Sequence, residues 1–150
     1  MHRFSSNPQS SPSSLPSSFI HSRSNPMSTL KVADFIGRML MALLFILAAV
    51  GKATNSGPAL AHMAAHGVPA FVLPAVIALE LAAGLALLAG WRVHWAAAAL
   101  AVFCLAAAFV FHLDLGNPPE RTLFFKDLAL AGGLIVVALS AAHAKGLMKA

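Results

Sequence analysis

Glu80 stands near the middle of Val68 to Gly90, an apolar run long enough to cross a membrane. A helix of about 20 residues spans a hydrocarbon core of roughly 30 Å. Counted from Pro69 at about 1.5 Å per residue, Glu80 lies some 17 Å in, close to the midplane. An ionised carboxylate there costs roughly 3 kcal/mol. The Leu, Ile, Val and Phe residues from Phe71 to Leu88 favour insertion by about 3 to 6 kcal/mol, so the segment still inserts. Glu80 must therefore face protein or water rather than lipid.

Five other charged or titratable residues sit at or near the ends of the remaining apolar runs: Arg38, Lys52, His112, Lys126 and Asp127. Together with Glu80 they could line a polar pocket shaped for a headgroup, a quinone or protons. In it, Lys or His would donate to a carbonyl or phenolate, and Glu80 or Asp127 would accept a proton. The same residues also have a purely structural role open to them. Lys52, Lys126 and Arg38 can snorkel to the headgroups, and Glu80 can pair with one of them to hold a bundle in register. Lys126 and Asp127 are adjacent, so on a helix they cannot both point inward. No cation stands at the midplane in the sequence, which favours a Glu80 that is neutral or open to water over one held in a buried pair.

The inventory excludes several chemistries. Cys104 is the single cysteine, which leaves no internal disulfide, CxxC pair or cysteine-cage metal site. A haem between helices needs two histidines at matching depth, but His94 and His112 lie at opposite ends of one apolar run. His62 and His66 have the i, i+4 spacing of metal ligands, with no third ligand nearby in sequence. They are expected on an interfacial surface helix, and no metal is expected. No Gly-rich dinucleotide fingerprint, P-loop or Ser-His-Asp order is present. If electrons pass through the protein, the carrier must be borrowed.

The elements that must position these residues follow from hydropathy. Of 150 residues, 59% are hydrophobic and 10% charged. That composition belongs to a membrane protein and not to a soluble domain. The net charge of +5 is spread singly between apolar runs, so no basic stripe suits nucleic acid. The first spanning helix is expected from about Val32 to Ala53, ended by Asn55, Ser56, Gly57 and Pro58. A short, weakly amphipathic stretch, Ala59 to Gly67, precedes the second helix, Val68 to Gly90. In that helix Pro74 marks either the true start or a kink. The third runs from about Trp95 to Leu113, joined so closely to the second that the two must be antiparallel neighbours. Trp91 and Trp95 suit a membrane interface. Pro118 and Pro119 then forbid helix continuation. The fourth helix starts near Thr122 or Leu123 and ends near His143, with Gly132-Gly133 as a small-residue packing face. The fold expected is all-α: an integral membrane, antiparallel four-helix bundle over residues 31–145.

Residues 1–30 are rich in Ser and Pro, lack acids and show no apolar periodicity, as in a disordered tail. Met27 is the favoured true start. With the N-terminus inside, Arg3, Arg23, Lys31, Arg38, Arg92, Lys145 and Lys149 fall on the inner side; Lys52, Arg121 and Lys126 fall on the outer side. This bias places both termini in the cytoplasm; with Met27 as the start, Arg3 and Arg23 drop out and the bias narrows to five against three.

The sequence resembles the DoxX family of small bacterial membrane proteins. The stretches that carry the resemblance are IGRMLMALLFILAAVGK, MAAHGVP, LELAAGLALLAGW, FVFHLDL and FFKDLALAGGLIVVA. They occur in family order from about Phe35 to Ala138. The resemblance implies four helices in the bacterial inner membrane and links to quinone-coupled sulfur oxidation and to oxidative and thiol stress. Arg38, Lys52, Glu80, His112 and Lys126 match the family's usual polar positions. Asp127 departs from the pattern, standing where Asn would follow the lysine. An acid there can pair with Lys52 or Lys126, which works against a lysine-based anionic site. The expected function is a membrane subunit supporting quinone-linked redox or stress chemistry, with no cofactor of its own. Its partners would be the lipid bilayer, quinone, and soluble or membrane oxidoreductase subunits. The alternatives are a non-catalytic anchor for soluble oxidoreductases, and a small proton or solute transporter using Glu80.

Overall fold

The computed structural model describes residues 26–147. They form five helices: α1 Pro26–Thr54, α2 Gly57–Ala65, α3 Leu73–Ala89, α4 Val93–Phe111 and α5 Pro118–Leu147. A single 3-10 turn, Ala70–Val72, leads into α3. Helices α1, α3, α4 and α5 are each long and apolar enough to cross a membrane, while α2 is a short helix between two of them. The chain is a small all-α integral membrane protein with four spanning helices, as its hydropathy requires.

Helix boundaries differ from the expected ones for reasons of local chemistry. Helix α1 begins at Pro26 and takes in residues 26–30, which the sequence reading assigned to the tail. The rest of the expected tail lies outside the described residues. Pro74 falls in the first turn of α3, where a missing N–H costs nothing, so it starts the helix and does not kink it. Pro118 and Pro119 likewise open α5, four residues earlier than Thr122. At the other end of α3, Gly90 adopts φ 70°, and the N–H groups of Gly90 and Trp91 donate to Leu87 and Ala86. This left-handed cap reverses the chain within three residues and makes α3 and α4 antiparallel neighbours.

Core positions follow helical stripes. On α1, Arg38, Ala42, Phe45, Ala49 and Lys52 recur at steps of three and four, and Ala42, Phe45 and Ala49 are buried. On α3 the buried set is Leu73, Glu80, Ala83, Gly84 and Leu87. The two helices approach closely at Gly84. A Cβ placed there would lie 3.0 Å from Ile46 Cγ1 and 3.3 Å from the Ala42 carbonyl oxygen. Small residues at such crossings let backbones touch where water supplies no drive. The Gly132-Gly133 pair does not play this part. Gly132 meets nothing within 4 Å, and Gly133 meets only Met41 Sδ at 4.0 Å.

Helices α4 and α5 form the other closely packed pair. Ala97, Leu100, Ala101, Cys104 and Ala108 are buried on α4, and Phe124, Asp127, Ala131 and Leu134 on α5. Phe109 and Phe124 add an edge-to-face contact at 5.6 Å between ring centroids. The outward Leu, Val and Phe side chains, such as Leu40, Leu47, Val102 and Val136, are exposed as lipid contact requires.

Candidate functional site

The last turn of α1 carries Lys52, and its ammonium reaches the middle of α3. Nζ lies 2.8 Å from both Oε1 and Oε2 of Glu80. The Glu80 residue is 3% exposed and the Lys52 side chain 27%. This corrects the sequence-based expectation of a Glu80 open to water with no cation at its depth. A four-carbon stem on the same face as Phe45 and Ala49 carries the charge down to the carboxylate. Burying both charges costs desolvation, which the doubled hydrogen bond offsets.

Across the bundle stands a second polar group. His112, just past the end of α4, has Nδ1 2.6 Å from Glu120 Oε2 in the first turn of α5. An ionised carboxylate only accepts, so Nδ1–H donates and Nε2 is turned toward the bundle interior. There Asp127 Oδ2 lies 3.7 Å away, beyond hydrogen-bond distance. As adjacency on a helix demands, Asp127 is buried at 8% while the Lys126 side chain stays half exposed, with Nζ 3.5 Å from Asp127 Oδ1.

Between these groups lies a cavity of about 500 Å³, walled by Phe45, Val76, Phe103 and Leu130. Lys52, Glu80, His112, Lys126 and Asp127 all border it, as does the buried thiol of Cys104. Helix α2 covers one end. Met63 is buried beneath it, and the His62 ring stacks at 5.1 Å on Phe111 and 5.7 Å on His112. His66 lies 4.7 Å from His62. Burial first, then the neighbouring His66 and His112, push the His62 imidazole below its ordinary range.

Five of the six candidate residues are thus brought together, and Arg38 is not. It sits toward the opposite end, donating to Asp34 Oδ2 at 2.9 Å and to the Leu87 carbonyl at 3.3 Å. Its work is at the cap of α3. The sequence reading missed Glu120 and the cover formed by His62. Glu120 lies eight residues from His112 across a proline turn, a separation that becomes contact only because Pro118 and Pro119 start α5 at once. No group of three or more His, Cys, Asp or Glu residues among those described has metal-holding geometry.

A small bundle of four spanning helices, holding paired charges around a cavity between them, is the class that fold and site define. The DoxX family profile matches residues 33–113, more than half of the chain, and the chain belongs to that family. It is also 38% identical over 109 residues to the inner membrane protein YqjF of Escherichia coli (strain K12). That match covers 73% of this chain and 84% of the relative. No solved structure matches.

Proposed function

We propose that the protein is a bacterial inner-membrane subunit that binds a quinone or quinol head in its cavity and supports oxidoreductase partners without a resident cofactor. One observation carries the reading: a mostly apolar cavity of about 500 Å³ has Lys52–Glu80 on one side and His112 with Asp127 on the other. That size falls within the range of small-molecule pockets, where few polar groups orient a largely apolar ligand. Two cations and two carboxylates border the space, which suits a neutral, dipolar head better than an anion. Lys52 and Lys126 are donors for a quinone carbonyl. His112, held by Glu120 through Nδ1, presents Nε2 to a quinol hydroxyl. The inner-membrane assignment is carried over from the relative, and cytoplasmic termini follow from the Lys and Arg distribution.

The test is quinone retention. Protein purified in mild detergent is extracted, and quinone is quantified against protein. Near-stoichiometric retention is expected, with loss in His112→Ala and Asp127→Asn variants that still fold. A quinone-free protein, or retention indifferent to both substitutions, would overturn the reading. A second reading, a non-catalytic anchor, is favoured by a specific observation. No buried side-chain nitrogen or oxygen among the described residues lacks a hydrogen-bond partner, so the paired charges are satisfied without a ligand. It requires soluble oxidoreductases to co-purify while the cavity residues tolerate substitution.

A further inference from the structure

The end of the bundle opposite α2 holds a cluster that the cavity does not use. Lys145 Nζ on α5 lies 3.3 Å from His94 Nδ1 on α4. An ammonium only donates, so Nδ1 accepts and the proton of His94 sits on Nε2. Lys145 keeps its remaining N–H groups, and His94 keeps its Nε2–H. Two residues before His94, the Arg92 guanidinium lies over the Trp91 ring, 5.4 Å from its centroid. Arg92 is held at φ 45°, a conformation unfavourable for its side chain, and that side chain is exposed. Among the described residues, neither Lys145 nor Arg92 has a carboxylate within 4.0 Å. The acid at this end, Asp34, is taken by Arg38. Two helices and a tight turn therefore gather donors with no carboxylate partner of their own among the described residues.

We infer that Arg92, His94 and Lys145 form a binding site for the phosphate of an anionic phospholipid, with Trp91 and Trp95 flanking its glycerol and upper acyl region. The setting favours a lipid over a free anion. Trp91, on the turn that joins two spanning helices, is 65% exposed, and Trp95, in the first turn of α4, is 66% exposed. Exposed indoles at such a turn belong at the headgroup level. A guanidinium gives a phosphate diester two parallel hydrogen bonds, and an ammonium adds a point charge. The imidazole Nε2–H supplies a directed neutral donor beside them.

The experiment uses the full chain in a neutral detergent and reads the unfolding midpoint during titration with phosphatidylglycerol, phosphatidylcholine or inorganic phosphate. Phosphatidylglycerol should raise the midpoint by several degrees where the other two do not. Arg92→Asn combined with Lys145→Gln should remove most of that gain. Asn tolerates the left-handed conformation at position 92, so this variant keeps the turn. Lys31→Gln, which removes an exposed charge at the start of α1, should keep the gain. Equal gains from the two lipids, a gain reproduced by inorganic phosphate, or a gain that survives in the double variant would overturn the assignment. Equal loss in Lys31→Gln would also overturn it, because a diffuse basic surface would then account for the effect.

Discussion

Lys52 Nζ lies 2.8 Å from both carboxylate oxygens of Glu80, so the acid at the middle of α3 is held by a cation rooted in the last turn of α1. Breaking a buried pair leaves an uncompensated charge and costs about 3 to 5 kcal/mol. Lys52 keeps some solvent contact, which places this pair at the lower end of that range. Glu80→Gln and Lys52→Met should each lower the unfolding midpoint in detergent markedly. Their double variant should lose less than the sum of the two, and that coupling isolates the pair. Additive losses would mean that the two groups act separately.

The four spans and their antiparallel order were legible because lipid demands unbroken apolar runs, and Gly90 to His94 is too short for any other arrangement. The stripe Arg38, Ala42, Phe45, Ala49, Lys52 was also present in the sequence. Read at helical spacing, it puts Lys52 on the core face and makes a reach to Glu80 natural. Depth counted along each helix hid this, because it treats Lys52 as a boundary residue and ignores its long stem. The His112–Glu120 pair depended on a turn geometry that two adjacent prolines do not reveal in sequence. They read equally well as the end of one helix or the start of the next. Gly132-Gly133 was a plausible packing face by composition, but the close approach occurs at Gly84, where α1 happens to cross.

At Gly84 the space is already filled by Ile46 and by the Ala42 carbonyl. Gly84→Val must push the two backbones apart or force Ile46 from its rotamer. Overpacking of this kind costs about 1 to 3 kcal/mol. Thermal unfolding in detergent should show Gly84→Val clearly destabilised and Gly132→Val nearly neutral. Comparable losses at both positions would argue against the tight α1–α3 crossing.

Arg38 separates from the cavity group, and its loss should have a different signature. Its bond to Asp34 is an exposed i, i+4 pair, worth about 0.3 to 0.5 kcal/mol. The Leu87 carbonyl adds a modest hydrogen bond. Arg38→Met should therefore destabilise less than Lys52→Met and leave quinone retention unchanged. Loss of retention in Arg38→Met would place it back with the cavity residues.

The basic residues predict that both termini are cytoplasmic. A reporter active only outside the cytoplasm should be silent when fused after Ala150 and active when inserted between Gly116 and Glu120. The reverse pattern would turn the end of the bundle that carries His112 and Glu120 toward the cytoplasm.

His62 supplies the pH dependence. Its imidazole titrates below the ordinary value of about 6.5, because α2 partly buries it against Phe111, with His66 and His112 close by and Glu120 opposing them. A histidine with a depressed folded value binds its proton less readily in the closed state than in the open one. The stability of closed α2 is then fully present above about pH 6.5. It is lost as the pH falls below that value toward the folded one. Amide exchange in α2, corrected for its intrinsic pH dependence, should quicken between about pH 7 and pH 5. His62→Phe keeps a ring against Phe111 and removes the titrating group, so its α2 should stay protected across the range. Exchange in the native protein that does not respond to pH, or an identical response in His62→Phe, would show that this imidazole does not govern the cover of the cavity.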